Sequence, residues 1–485
     1  MPMNTLRKQI VLILSASFFS SAAMATVITV DDDGPADYDN IQAAIDAASN
    51  GDEIAVHPGE YRAPDNTPVI DLKGKSVWLH GIASPEVTII EGDNSRRGIL
   101  CNSGETNTTV IEGFTIQNCV ATWQDWDEDG LQDNWETAGG GMGVGNSSPL
   151  IVACRFIGNN GRKSGGGMFN YNSNPSLIAC TFEWNFVEEQ NGNGGGMSNR
   201  MSSPDLSDCE FFQNDSSSGG GGMYNYDGSS PSLVRCDFFE NTAYVLGGGV
   251  YNRFFSEPWF DDCEFVENVC HVYGGGGMFS SSLSNTTIMG CDFINNSATA
   301  EGSIGGGIGN SNSSPTLTNC TLANNTASDD GGGLYCTVGS QVILANCTII
   351  TNHANRGGGT YFDFFCDVTI DESTLQSNSA NLQGGALHVN DYCDVTIIDT
   401  EIRDNVSPGG GGVWSSNENT LTISGSMLEQ SLDIAGFDGT EIQVVDQNTI
   451  GQIMLQDVSS ELQIPAGASL TMLGGIALQG SAIKF

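Results

Sequence analysis

Basic residues are scarce in this chain. Sixteen Lys+Arg stand against 58 Asp+Glu, a formal net charge of -42. A nucleic-acid-binding surface neutralises phosphates with Lys and Arg, so that class is excluded. An anionic membrane surface is excluded on the same ground. Past the first two dozen residues no stretch is long and apolar enough to span a bilayer. There are 14 Cys, yet no C-x-x-C occurs and no Cys/His spacing suits zinc. The order L-x-x-L-x-L is absent, which removes the leucine-rich repeat. The 5 His, at positions 57, 80, 271, 353 and 388, each stand alone. Glycine is what the chain has in excess: 63 of 485 residues, without the three-residue period of collagen. A hydrophobic fraction of 39% is enough for a core.

Met1 to Ala25 reads as a secretory signal peptide. Arg7 and Lys8 supply the charged start, Ile10 to Phe19 the apolar stretch, and Ala23-Met24-Ala25 an A-x-A cleavage site. The mature chain is expected to carry no transmembrane segment and to be secreted or held at the cell surface. Cleavage removes two basic residues and no acidic ones, leaving 14 - 58 = -44.

The body is a repeat. Cys154-Arg-Phe-Ile-Gly-Asn159 recurs as Cys180 to Asn185, Cys209 to Asn214, Cys236 to Asn241, Cys263 to Asn268, Cys291 to Asn296, Cys320 to Asn325 and Cys347 to Asn352. Ser373 to Asn378 and Thr400 to Asn405 keep the frame after the cysteine is lost. A Gly triplet trails each unit, as in Gly165-Gly-Gly-Met168-Phe-Asn170, and Pro149, Pro175, Pro204, Pro231, Pro258 and Pro315 each precede a repeat cysteine by five residues. The steps are 26 to 29 residues, and a fixed period of that size means a solenoid.

Each unit holds three short stretches rich in β-formers and broken by Gly, Asn, Ser and Pro, with no room for a helix of about ten residues. Wound as three strands plus turns, one unit is one coil of a parallel β-helix, and the right-handed hand follows from the handedness of parallel connections. About fifteen coils make a rod roughly 70 Å long at the strand spacing. Cys and Phe at alternate positions point inward and stack. The repeat Asn residues form an amide ladder at a turn, where Asn tolerates a left-handed backbone. The Gly triplets supply backbone angles that other residues avoid.

Nine cysteines (Cys119 and the eight from Cys154 to Cys347) lie in repeat units. Export raises the possibility of disulfides, but parallel stacking points neighbouring thiols the same way, which favours buried free thiols. Cys366 and Cys393, in two copies of C-D-V-T-I, also stack. Cys101, Cys270 and Cys336 sit elsewhere and are able to pair.

Residues 26–100 form a cap and first coils, 101–415 the main repeats, and 416–485 divergent, narrower coils. In the cap, Asp39 is expected to start a short helix with Gln42 as its capping-box partner, Gly51 to end it, and Ile41, Ala44, Ile45 and Ala48 to cover the open first coil. Strands are expected at Glu53 to Val56, Ser76 to Leu79 and Val87 to Ile90. An insertion at 125–136 carries the sharpest chemistry. Asp125, Asp127, Asp129 and Asp133 at positions 1, 3, 5 and 9, Gly130 at 6, the Leu131 carbonyl at 7 and Glu136 at 12 reproduce the EF-hand Ca2+ template. Gln132 replaces the usual apolar residue at position 8. The bland alternative is a solvated acidic turn, in which five carboxylates without a cation repel.

Asn40 to Ala48, Gly51 to Tyr61 and Ile111 to Ile116 resemble the N-terminal turns of the pectate-lyase-like parallel β-helix superfamily. The C-x-F-x-x-N and Gly-triplet repeats are similar to those of polymorphic outer-membrane proteins, and the insertion resembles thrombospondin-type-3 or dockerin-like calcium loops. Together these resemblances cover nearly the whole mature chain. They imply the fold and leave function open, since it hosts lyases, hydrolases, epimerases and adhesins.

For function, two readings follow. One is a non-catalytic scaffold for adhesion or glycan binding, its partner an extracellular glycan or surface protein. Tyr226, Tyr244, Trp259, Tyr273 and Trp414 are then candidates for stacking on sugars. The other is a polysaccharide lyase or glycoside hydrolase. A lyase of acidic sugars needs clustered cations, and Arg155, Arg162, Arg200, Arg235, Arg253, Arg356 and Arg403 are scattered. A hydrolase needs two placed carboxylates, for which Asp261-Asp262 and Asp329-Asp330 are candidates without companion motifs. The scaffold is the stronger reading, and no catalytic residue is assigned.

Overall fold

The computed structural model describes residues 25–485 apart from 64–67, 127–129, 131–136, 430–433, 437–438, 451, 456–459, 465–467, 474–475, 479–480 and 485. The chain winds as one parallel β-solenoid. Three long sheets of 18, 16 and 16 strands run its length, and a fourth of 8 short strands covers part of it. One coil shows the plan: Ser176–Ile178 in the first sheet, Thr181–Glu183 in the second, Phe186–Val187 in the fourth, and Met197–Arg200 in the third. Every coil pairs in parallel with the next, so Leu177 lies on Leu206, Phe182 on Phe211 and Met197 on Met223. At the strand spacing the stack is roughly 80 Å long. The three-strand expectation thus gains a short fourth strand, placed directly after the Asn ladder.

Period-2 alternation explains the core. The middle residue of each second-sheet strand points inward, and Phe156, Phe182, Phe211, Phe238, Phe265 and Phe293 form one column. Their rings are parallel to within 3–5° and centred 4.4–4.8 Å apart. All fourteen cysteines are buried free thiols, including Cys101, Cys270 and Cys336. Burial raises the thiols of Cys101, Cys119, Cys154 and Cys336, as expected where a thiolate would sit in apolar surroundings. Where the cysteine column ends, Ser373, Thr400 and Ser426 continue it, each hydroxyl accepting from the preceding member's backbone N–H.

The Asn ladder is fully formed, with one correction. From Asn159 to Asn405 the side chains are buried. Asn241 is typical: its N and Nδ2 both donate to Asn268 Oδ1 at 3.0 Å, and Nδ2 also donates to Phe211 O at 2.8 Å. These residues do not adopt the left-handed backbone. It falls one position earlier, at Trp184, Gln213, Glu240 and Glu267, because that residue turns the chain so that the next amide can face the core.

The Gly triplets divide their labour in the same way. Gly165 is left-handed at φ 59°, but Gly166 and Gly167 are required by space. A Cβ on them would stand 2.3 Å from Gly195 O and 2.7 Å from Gly196 O.

At the entry, the helix spans Ile41–Ala47 and buries Ile41, Ala44 and Ile45, with Ala48 buried just beyond it. Its N-cap is Asn40, whose Oδ1 accepts from Ala43 N at 2.8 Å. Asp39 stands one residue too early to reach that amide. Gln42 is drawn away to Asp71, accepting from its N at 2.7 Å and donating to its O at 3.1 Å. The helix stops at the extended Ala48, before Gly51. Lys75 Nζ closes it by donating to the carbonyls of Ile45, Asp46 and Ala48, where a cation suits the helix end. The strands expected at Ser76 and Val87 begin later, at Trp78–Gly81 and Thr88–Glu91, while Glu53–Val56 is as expected.

Beyond Thr420 the coils narrow as expected: Thr420 pairs with Glu441, and Glu441 with Glu461. Among the described residues no helix is long and apolar enough to cross a membrane.

Two outcomes test this packing. A thiol reagent should modify none of the fourteen cysteines in the folded protein and all of them in guanidinium, counted by absorbance. Asn241→Ala strands the Asn214 amides and the Phe211 carbonyl, and should lower unfolding free energy by about 3 kcal/mol in a denaturant titration.

Candidate functional site

The insertion is anchored from below by residues that its own sequence pattern does not reveal. Arg97 is buried. Its Nη2 donates to Thr122 O at 2.7 Å and to Ala138 O at 2.8 Å, and its Nε donates to Gly139 O at 2.9 Å. It therefore ties the chain entering the insertion to the chain leaving it. Burial pulls its guanidinium down to about 10. Trp126 lies over it at 5.2 Å, buried against Phe169 at 5.5 Å. Gly143 and Gly145 make room for the indole, since a Cβ on either would come within 2.6 and 2.7 Å of it.

Of the expected calcium ligands, Asp127, Asp129, Leu131, Asp133 and Glu136 lie outside the described residues. Asp125 is described: its Oδ2 accepts from Gly130 N at 3.1 Å. Its Oδ1 is buried with no hydrogen-bond partner among the described residues. A buried carboxylate oxygen without a donor is suited to a hard cation.

The five aromatic candidates do not form one site. Tyr226 is half-buried, with Arg200 over its ring at 5.3 Å and Tyr224 at 5.7 Å. Trp259 is half-buried on the first sheet, away from the others. Trp414 is half-buried on the third sheet, 6.4 Å from His388. Tyr244 and Tyr273 are 58% and 51% exposed. Both lie on the connection from the fourth sheet to the third, where Tyr273 N donates to Val245 O.

Tyr244 borders a groove of about 720 Å³ on the fourth-sheet face, with Gln213, Asp215, Glu240, Thr242 and His271 around it. Tyr244 and His271 are 6.5 Å apart. Gln213 Nε2 donates to Glu240 Oε2 at 2.6 Å, and Trp184 Nε1 donates to Gln213 Oε1. Trp184 was passed over in the sequence reading. Its signal is positional: it precedes a ladder Asn, where the next coils carry Gln213, Glu240 and Glu267. It is 52% exposed at φ 53°.

Of the two carboxylate pairs, Asp329-Asp330 is bound by one arginine. Arg356 grips Asp330 through two 2.7 Å bonds and reaches Asp329 at 3.5 Å. Burial raises the Asp330 carboxyl to about 7, against the opposing pull of Arg356. The histidines do not stand alone, in contrast to the sequence reading. His80 stacks on Trp78 at 4.1 Å and meets Glu53 at 3.0 Å. His353 Nδ1 is 2.9 Å from Ser379 Oγ. His388 is buried in an outer row, 4.6 Å from Tyr361. A feature missed in the sequence is Asp31-Asp32-Asp33, with one oxygen from each within 4.8 Å of the others. Backbone N–H groups of Asp33, Gly34 and Glu60 already serve Asp31 and Asp32.

A family model described as right handed beta helix region matches residues 145–322 and 298–428. Among curated proteins nothing matches the chain. Among solved structures, carrot pectin methylesterase is similar at 12% identity and TM-score 0.32, over 64% of this chain and 85% of that one. The mannuronan C-5 epimerase AlgE4 A-module of Azotobacter vinelandii gives 14% and 0.26 over 92% of each chain. The Siphovirus 9NA tailspike receptor binding domain gives 9% and 0.23, over 94% of this chain and 76% of that one. Chemistry does not follow from likeness at this level.

Burial holds the His388 ring down at about 3, against its ordinary 6.5. A ring kept neutral in the fold stabilises it fully above 6.5, and that contribution is lost as pH falls towards 3. His388→Phe keeps an aromatic in the row and removes the titration. Its unfolding free energy should therefore fall less than that of the wild type between pH 6.5 and 3.5, followed by denaturant titration at each pH.

Proposed function

We propose, from the premise that the chain belongs to the right-handed β-helix family, that it is an exported, calcium-stapled scaffold that holds glycans outside the cell. Export is supported by the leader pattern of Met1 to Ala25. The staple is supported by the Asp125 to Glu136 spacing, by Asp125 Oδ1, buried without a hydrogen-bond partner among the described residues, and by the Asp125–Gly130 bond. Asp125, Asp127, Asp129, Asp133 and Glu136, with the Leu131 carbonyl, would hold the ion. When bound, Ca2+ supplies charge that lets five carboxylates share one loop. Arg97 then ties Thr122, before the insertion, to Ala138 and Gly139 after it, and Trp126 packs on Phe169 of the third sheet.

Glycan binding is carried by one observation: Tyr244 stands exposed beside a groove whose other sides offer amide, carboxyl, hydroxyl and imidazole groups. An aromatic face with polar groups around it is the usual provision for a sugar. A tight, straight rod presents such a groove rigidly, with no closure required.

The test is to immobilise the whole protein, pass a polysaccharide panel over it with and without calcium, and follow retention, reducing ends and unsaturated ends. Retention without either kind of new end is expected, and Tyr244→Ala should weaken it roughly tenfold. New ends in step with time would overturn the scaffold in favour of a lyase or hydrolase. Calcium should raise the unfolding midpoint by several degrees in the wild type, and not in an Asp125→Ala, Glu136→Ala variant. An unshifted wild type would remove the calcium staple.

A further inference from the structure

We infer that the fourth-sheet groove selects amino sugars, binding glycans through their ammonium groups. The inference rests on the glycan-binding reading and names the class of glycan. Three observations carry it.

The first is charge. Asp215 and Glu240 border the groove and no Lys or Arg does. Lys163 comes near at the Gln190 end, but it is held by Glu189 Oε2 and by Gln190 O, each at 3.2 Å. The protein as a whole carries -42, so its field repels uronates and sulfated sugars and draws in cations.

The second is the placing of those carboxylates. Asp215 projects from the strand Asp215–Ser216, and Glu240 from the turn before Thr242–Ala243 one coil on. Glu240 Oε2 is fixed by Gln213 at 2.6 Å, so it is presented without side-chain freedom to lose. Two acids, the Thr242 hydroxyl and an exposed phenol ring around one groove suit a polyhydroxylated ring bearing an ammonium. Carboxylates take the charge, and an aromatic face takes either the sugar's apolar side or the cation itself.

The third is Trp184, which bonds to the groove residue Gln213. Trp184 takes the left-handed angle that successive coils place before the ladder Asn, and its indole is half left in water. Its Nε1 is spent on Gln213, which in turn holds Glu240. Trp184 therefore positions the carboxylate through Gln213.

The probes are glucosamine oligomers, their N-acetylated counterparts and galacturonate oligomers of equal length. They are measured by calorimetry on the full chain, at low salt and at a pH that keeps the amine charged. The glucosamine oligomer should bind roughly tenfold tighter than the N-acetylated one, the galacturonate weakest, and added salt should erode the preference. In an Asp215→Asn, Glu240→Gln variant the first two affinities should converge. A Glu372→Gln, Glu418→Gln variant, equal in charge but remote from the groove, should keep the preference. Trp184→Ala should weaken the glucosamine oligomer, and an unchanged unfolding midpoint would show that this loss is not a loss of folding. Equal binding of the amine and N-acetyl forms would overturn the amino-sugar inference and leave glycan binding standing. So would a preference that survives neutralisation of Asp215 and Glu240. Failure of every glycan to bind the wild type would instead remove the reading on which the inference rests.

Discussion

Everything in this molecule depends on the vertical repeat of hydrogen-bonded parallel strands. Once each coil must lie directly on the last, at roughly 4.8 Å, every side chain meets its own counterpart above and below. Inward positions must therefore stack with themselves. Phe does so ring on ring, Cys as a small apolar column, and Asn by donating Nδ2 to the next Oδ1. The Asn ladder is the demanding case, because its polar atoms are buried at the tightest turn. Each amide has to find two donors and two acceptors, and the stacked Asn side chains share that work with a backbone N–H and a strand carbonyl of the preceding coil. The ladder thus fixes the coil's outline, and the left-handed residue before it and the Gly triplet after it follow.

Because those inner columns are repeated letters, they were legible in the sequence. So were the solenoid, the narrowing of the last coils and the buried helix face of Ile41, Ala44, Ile45 and Ala48. What was not legible depends on which of two neighbouring residues takes a role. Asn40 and Asp39 are both capable caps, and only the reach to Ala43 N separates them. The left-handed turn looked natural for Asn, yet the Asn is needed inside, so Trp184, Gln213 and Glu240 take the angle instead. Two-residue strands such as Phe186–Val187 carry no periodicity to detect. Arg97 lies about thirty residues before the insertion that it anchors, and Gly143 and Gly145 look like triplet glycines until the indole of Trp126 is seen above them.

The proposed function uses the outward positions, which the repeat leaves free to vary. A column that reads Glu, Gln and Trp at the ladder turn changes nothing inside the rod, and there the groove of Asp215, Glu240, Tyr244 and His271 is assembled from successive coils. Residues remote in sequence come together at a pitch set by the backbone, so their spacing is rigid while their chemistry is not. The acidity belongs to this outer layer. Part of it is concentrated in the 125–136 loop, part is balanced by ion pairs such as Arg235 with Asp208 at 2.8 Å, and part gives the groove its sign.

The claim that the ladder holds the coils in place is tested most directly by amide hydrogen exchange across the middle of the rod. The N–H groups of Asn185, Asn214 and Asn241 donate to buried side-chain oxygens of the next coil at 3.0 Å, although they lie at a turn. They should exchange as slowly as the strand amides around them, and far more slowly than amides that face water. If these three amides exchange at the rate of water-facing amides, the ladder does not carry the fold.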